Sequence, residues 1–201
     1  MRPLPDKPLA CAEGIHRRRP PFDSITILLH WSTVVLVLLL LASGLLRSDY
    51  QFHAARLLQI HRSLGVTVWV VTVFRLSWRL SGARFPEFPP TMTRAHRVAA
   101  RLSEYALYAL LLVQPATGLL QTLWRGRPFA LFAWGVPQLV PKHLDRMLLF
   151  QEIHEIGAWC LIALIGLHAL AALFHHFVRG DEILQAMIPA LRRRPPSASS
   201  D

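Results

Sequence analysis

Apolar residues in this 201-residue chain fall in long blocks, and polar and charged residues gather in the gaps between them. The first block, ITILLHWSTVVLVLLLLASGLL (Ile25 to Leu46), is interrupted by one ionisable group, His30. The second, LGVTVWVVTVFRLSWRL (Leu64 to Leu80), reaches spanning length when begun near Leu57, with Arg75 and Arg79 extending to the interface at its far end. The third runs from about Val98 to Leu123 and contains YALYALLLVQPATGLL, in which Pro115 and Gly118 bend the helix without ending it where neighbouring helices satisfy the freed backbone. The fourth, from about Ile153 to Val178, contains HEIGAWCLIALIGLHALAALFHH. About 20 apolar residues at about 1.5 Å each cover the hydrocarbon thickness, and these continuous runs lack the alternation of membrane strands. The blocks predict an all-α fold, a four-helix transmembrane bundle over residues 25–180, with tails at 1–24 and 181–201.

The stretch from Trp124 to Gln151 breaks this rhythm. FALFAWGVP is apolar but too short to span, and prolines 128, 137 and 141 interrupt it, so the segment is expected to lie along the outer membrane surface and cap the bundle. No internal repeat is read, and the terminal SASSD after Pro195 and Pro196 reads as disordered.

Composition agrees with a membrane protein: 53% of residues are hydrophobic and 17% charged. The formal charge of +10 does not point to nucleic acid, because the arginines sit between apolar runs and form no continuous basic face. They report topology instead. Fifteen of the 22 Lys and Arg residues fall on the side holding both termini and the second connection, and seven on the other, which places both termini in the cytoplasm. The first 24 residues carry Arg17, Arg18 and Arg19 but no apolar core ending in small residues, so they read as a cytosolic tail and not a cleaved signal. Cys11 and Cys160 suggest neither a disulfide framework nor a cysteine metal site.

Histidines inside apolar helices need explaining. With the helix directions set, His30 and His168 lie on the cytoplasmic side of the midplane, while His61 and His154 lie near the outer surface. The 14 residues from His154 to His168 correspond to a rise of about 21 Å and a rotation about 40° short of four turns, so both imidazoles project from nearly one face. Two pairs result, each shared between the fourth helix and another. Haem iron asks for such a pair, since the porphyrin fills four positions and leaves two opposed ones. Zinc wants more ligands than either level offers beyond Glu152 and Glu155, and HEIGA is not HExxH because Ala158 stands where the second histidine belongs. Without CxxCH the haem is held noncovalently, as b-type haem. Gly65, Gly157 and Gly166 supply gaps in the helix walls for a flat macrocycle.

Each histidine also has a plainer reading. A lone membrane histidine is as often an interhelical hydrogen-bond partner or a proton relay, and a small proton-relaying transporter is the non-redox reading of the same four residues. His16, His53, His96 and His143 read as solvated or interfacial. His175 and His176 fit an interface anchor, a propionate contact or a substitute for His168, and Arg75 and Arg79 either fix the helix end or pair with haem propionates.

ITILLHW, IHRSLGV followed by FRLSWRL, ALYALLLVQPATGLL with GRP after it, and HEIGAWCLIALIGLHALAALFHHFVRGD together resemble the bacterial cytochrome b561 family, over about residues 22–189 and in family order. The resemblance implies a di-haem protein of the bacterial inner membrane, axial ligands at His30, His61, His154 and His168, and pairing of His30 with His168 and of His61 with His154. Glu104 departs from the pattern, since relatives often carry a histidine one turn before the tyrosine aligned with Tyr108.

Two bis-histidine haems leave no coordination position for oxygen, so electron transfer is the chemistry expected. The resemblance implies exchange with ubiquinone and, in some members, oxidation of superoxide at the outer face. The outer segments carry seven cations against Asp49, Asp145, Glu152 and Glu155, which suits a small anion as well as propionates or lipid headgroups. The expected function is thus an oxidoreductase of the superoxide oxidase or quinone reductase type, linking an outer one-electron donor to the quinone pool. The alternative is a haem-bearing membrane subunit that docks a separate dehydrogenase or carrier protein.

Overall fold

Asp23 starts the first helix. In the computed structural model, which describes residues 22–46, 54–82, 92–180 and 183–188, its carboxylate accepts hydrogen bonds from the Thr26 backbone N–H (2.8 Å) and the Thr26 hydroxyl (2.7 Å). This N-cap satisfies a donor that the first helical turn otherwise leaves open. The Trp78 indole N–H donates to the same carboxylate at 3.2 Å, tying the start of α1 to the end of α2. Burial alone would raise the Asp23 pKa, but the bonds from Thr26 and Trp78 outweigh it and hold it below the usual carboxylate value. A carboxylate depressed in the folded state contributes stability above its unfolded pKa, and that contribution is lost as pH falls through the folded value. Asp23→Ala is expected to cost about 1 kcal/mol, read as a lower thermal midpoint in detergent at pH 7, with the difference from wild type shrinking in acid.

Four long helices follow: α1 (Ser24–Leu45), α2 (Ala54–Leu80), α3 (Arg94–Trp124) and α4 (Leu144–Phe177). Each is long and apolar enough to cross a membrane. A two-stranded hairpin, β1 (Phe129–Leu131) and β2 (Trp134–Val136), joins α3 to α4, and a short α5 (Ile183–Met187) follows α4. The expectations about Cys11, His16, His53, nearly all of the N-terminal tail and most of the C-terminal tail fall on residues outside those described. Pro115 sits inside α3 without ending it, as anticipated.

The beginning of α4 differs from expectation. It starts at Leu144 and not near Ile153, because no breaker follows Pro141 and Asp145 places a negative charge on the first turn, where the helix dipole favours it. At 34 residues the helix is about 51 Å long against a hydrocarbon core of about 30 Å, so its first turns extend beyond the apolar slab. His154 therefore lies nearly three turns inside α4 and not at its entry.

The connection between α3 and α4 caps one end of the bundle and contains a β-hairpin, the one pair of strands among the described residues. Phe132 takes the tight-turn conformation (φ 53°). Its N–H donates to Ser63 Oγ (2.7 Å) and its carbonyl accepts from Gln59 Nε2 (2.6 Å), which holds the hairpin against α2. At the base of the connection the His143 N–H donates to the Trp124 carbonyl (3.0 Å). Gly126 is required there: its φ is +63°, and an added Cβ would lie 2.5 Å from the Lys142 backbone. Trp134, 79% exposed, and Phe132 project from the tip, as aromatic side chains do at a membrane interface.

The chain packs α1 on α2, α2 on α3 and α3 on α4. Its core takes one buried residue from each helix: Val37, Val68, Leu111 and Leu161. Seven residues to either side of each lies a position that matters below: His30 and Gly44 on α1, His61 and Arg75 on α2, Glu104 and Gly118 on α3, His154 and His168 on α4. A seven-residue repeat keeps one seam turned inward along slightly supercoiled helices, as in left-handed four-helix bundles. The apolar layer thus separates two polar levels, one at the hairpin end and one at the end where α1 begins.

Candidate functional site

At the hairpin end the heptad frame brings His61 of α2 against His154 of α4, with ring centres 6.1 Å apart and planes at 83°. The other two seam positions are glycines, and each makes room for an imidazole. A Cβ on Gly118 would lie 3.0 Å from His154 Cε1, and one on Gly44 would lie 3.3 Å from His61 Cε1. Beside each glycine stands a hydroxyl residue. His61 Nδ1 lies 3.1 Å from the Leu40 carbonyl and 3.0 Å from Ser43 Oγ. His154 Nδ1 lies 3.0 Å from the Gln114 carbonyl and 3.2 Å from Thr117 Oγ1. Since a carbonyl only accepts, the proton sits on Nδ1 in both rings and Nε2 is the bare nitrogen. Gln114 also donates from Nε2 to the His154 carbonyl (3.0 Å), joining α3 to α4.

These two clamps share one plan. Ala42-Ser43-Gly44-Leu45-Leu46 on α1 and Ala116-Thr117-Gly118-Leu119-Leu120 on α3 each hold a histidine that comes from the following helix. None of Leu40, Ser43, Gly44, Gln114, Thr117 and Gly118 was singled out from sequence as a histidine support. Recurrence of A-[ST]-G-L-L near the end of two spans was the available signal.

At the opposite end His30 of α1 faces His168 of α4, with ring centres 6.5 Å apart and planes at 53°. Arg75 takes the α2 seam position, with its guanidinium 3.2 Å from His30 Nδ1 and 5.3 Å from the centre of the Tyr108 ring. Arg79, one turn on, forms an ion pair with Glu104 of α3 and lies near the Tyr105 and Tyr108 rings. Glu104, the residue that departed from the family pattern, is thus the carboxylate partner of Arg79. His175 is buried and its ring meets that of His96 at 6.4 Å, a contact between α4 and α3 near this end.

Two imidazoles on opposite sides of one metal, with nitrogens about 2.0–2.1 Å from it and ring centres about 1.1 Å further out, stand about 6.3 Å apart. Both pairs meet that separation. Among the described residues no group of three or more His, Cys, Asp or Glu side chains could hold a metal, so a metal at either level would need most of its ligands from a non-protein group. A porphyrin supplies four. Gly65 and Gly166 have nothing within 4 Å of an added Cβ, as room for a flat group requires. Gly157 does not serve this purpose and is a correction: its missing Cβ accommodates Gln114, whose side-chain atoms would lie 3.0 Å away.

Comparison with known proteins identifies the family. The family model described as prokaryotic cytochrome b561 matches residues 21–190. The chain is 29% identical to cytochrome b561 homolog 2 of Escherichia coli (strain K12) over 174 residues, which is 83% of this chain and 90% of that protein. It is 30% identical to cytochrome b561 homolog 1 of the same organism over 173 residues, 84% of this chain and 97% of that one. It is 28% identical to a protein of Yersinia pestis named "Probable superoxide oxidase CybB" over 175 residues, 85% of this chain and 97% of that one. With four membrane-length helices and imidazoles facing each other between them, the chain belongs to the prokaryotic cytochrome b561 family, multi-pass bacterial membrane proteins that use haem b for transmembrane electron transfer.

Proposed function

We propose that the chain binds two b haems, one between His30 and His168 and one between His61 and His154, and links a one-electron donor at the hairpin face to membrane quinone. The observation that carries this reading is the pair of ring separations, 6.1 and 6.5 Å, at two levels of one bundle. Haem held by two histidines supplies reversible one-electron chemistry with no open position for oxygen. Around it the chain's own residues act as supports. The carbonyls of Leu40 and Gln114 keep protons on Nδ1 of His61 and His154, leaving Nε2 free to ligate. Arg75 is a cation placed to accept a propionate, while Arg79 already has Glu104. With the chain in the inner membrane and both termini on its cytoplasmic side, as the Lys and Arg distribution suggests, the hairpin end faces outward.

Superoxide is the donor we favour, in keeping with the name of the Yersinia pestis relative and with the cations Arg62, Arg125, Arg127, Lys142 and Arg146 around the hairpin end. Two superoxide anions would leave as dioxygen, and their two electrons with two protons would convert ubiquinone to the quinol. The purified protein is expected to contain two haems per chain by pyridine haemochrome assay and to reduce ubiquinone when superoxide is generated. Protein that carries two haems yet stays inert until a separate carrier protein is added would instead be a docking subunit. Colourless protein would defeat both readings and favour proton relay.

A further inference from the structure

A third pair of imidazoles stands beyond the His30/His168 level. His175 lies seven residues after His168 and so continues the α4 seam, where it is 9% exposed. Its ring meets that of His96, in the first turn of α3, with centres 6.4 Å apart and planes at 87°. The pair links the start of α3 to the last turn of α4, and His96 is open to solvent. We propose that His96 and His175 hold a late first-row divalent cation between them, copper(II) in preference to nickel(II) or zinc. This site goes beyond the haem reading and does not depend on it.

Geometry selects the ion. Two imidazoles on opposite sides of one metal have ring centres about 6.3 Å apart, whereas a tetrahedral zinc ion would draw them to about 5 Å. The observed 6.4 Å suits opposed positions, which tetragonal copper(II) or nickel(II) offers, and copper binds nitrogen ligands more tightly than nickel or zinc. Among the described residues no third His, Cys, Asp or Glu joins the pair, so the remaining positions fall to water on the exposed side of His96. The Thr93 hydroxyl oxygen lies 2.9 Å from His96 Nδ1 and accepts the His96 backbone N–H at 3.3 Å. With Nδ1–H donated to that oxygen the ring is oriented and Nε2 is left to coordinate, the outer partner that metal-binding histidines use. Charge argues against a hard cation here. Arg94 and Arg97 share the first turn of α3 with His96, and Arg179 follows α4, while calcium and magnesium depend on carboxylate oxygens. A copper ion is held by its bonds to imidazole nitrogen. His175 also places it at the C-terminal end of α4, where the helix dipole is negative.

Titration of the untagged, haem-loaded protein with Cu2+, followed by equilibrium dialysis and electron paramagnetic resonance, tests this. One tightly held copper per chain is expected, with hyperfine splitting from two imidazole nitrogens. His96→Gln and His175→Gln should each weaken that binding by at least about 100-fold, since losing even an outer partner of a metal ligand costs about 10–100-fold. His143→Gln, at the opposite end of the molecule, should leave it unchanged, and an equal concentration of Zn2+ should not displace the copper. Tight binding that persists in either variant, falls equally in His143→Gln, or shows one nitrogen ligand overturns the proposal, as does the lack of any tight copper. Because His96 is exposed, its replacement leaves the packing alone, and it decides by itself should His175→Gln fail to accumulate. A haem content other than two per chain would defeat the di-haem reading and leave this site standing.

Discussion

Replacing His154 by alanine is expected to halve the haem content, leaving one low-spin haem per chain, and His61→Ala should give the same product. The reason is geometric. The 6.1 Å between the two ring centres at the hairpin end suits one shared iron, and among the described residues the other seam positions at this level are Gly44 and Gly118, which offer no third imidazole. Each truncation removes one axial ligand and the Nδ1 hydrogen bond that aims it. His30→Ala and His168→Ala should between them define the other haem, since 6.5 Å separates their rings. His168 has a neighbour two turns on in His175, but the ring of that residue is packed against His96 of α3 and not toward α1. The check is haem stoichiometry by pyridine haemochrome together with the spectrum of what remains. Retention of both haems after loss of any one of the four would show the partners to be wrongly matched.

The second large effect is expected at Gly118, a residue with no side chain that could ligate a metal. An alanine methyl there would lie 3.0 Å from Cε1 and 3.3 Å from Nδ1 of His154. The ring is confined by the Gln114 carbonyl and Thr117 on the same side, so it cannot simply turn away. Overpacking of this kind costs about 1–3 kcal/mol, and each 1.4 kcal/mol is about a tenfold loss of affinity. Gly118→Ala should therefore lose the hairpin-end haem preferentially during purification or dilution, while the other haem stays. Gly135→Ala, where nothing lies within 4 Å, is the matched control and should retain both. If Gly118→Ala keeps two haems with unaltered spectra and release rates, the glycine clamp has no part in holding His154.

Much of the site could be read from residue type and spacing. His154 and His168 are 14 residues apart on one helix, and periodicity alone turns both toward a common seam. Hydrophobic length located the four spans. The start of α4 was misplaced because apolar content dips between Lys142 and Ile153, yet a helix needs only the absence of breakers and a favourable first turn to begin there. The strand pairing of Phe129–Leu131 with Trp134–Val136 was missed for another reason. Three-residue strands are too short to show alternation, and this hairpin is held by Gln59 and Ser63, far away in the chain.

Gly157 shows the limit most clearly. From the chain it was indistinguishable from Gly65 and Gly166, a small residue near a histidine, but in the fold it faces Gln114 of the neighbouring helix. Helix content, membrane character and the identity of the four histidines follow from local properties, hydropathy and a 3.6-residue period, which each segment carries by itself. Which carbonyl takes each imidazole proton, which glycine opens for which ring, and that Arg75 comes to stand beside His30, depend on contacts between helices. Such contacts are settled when side chains from separate segments compete for the same few ångströms, and a linear pattern does not encode which of them meet.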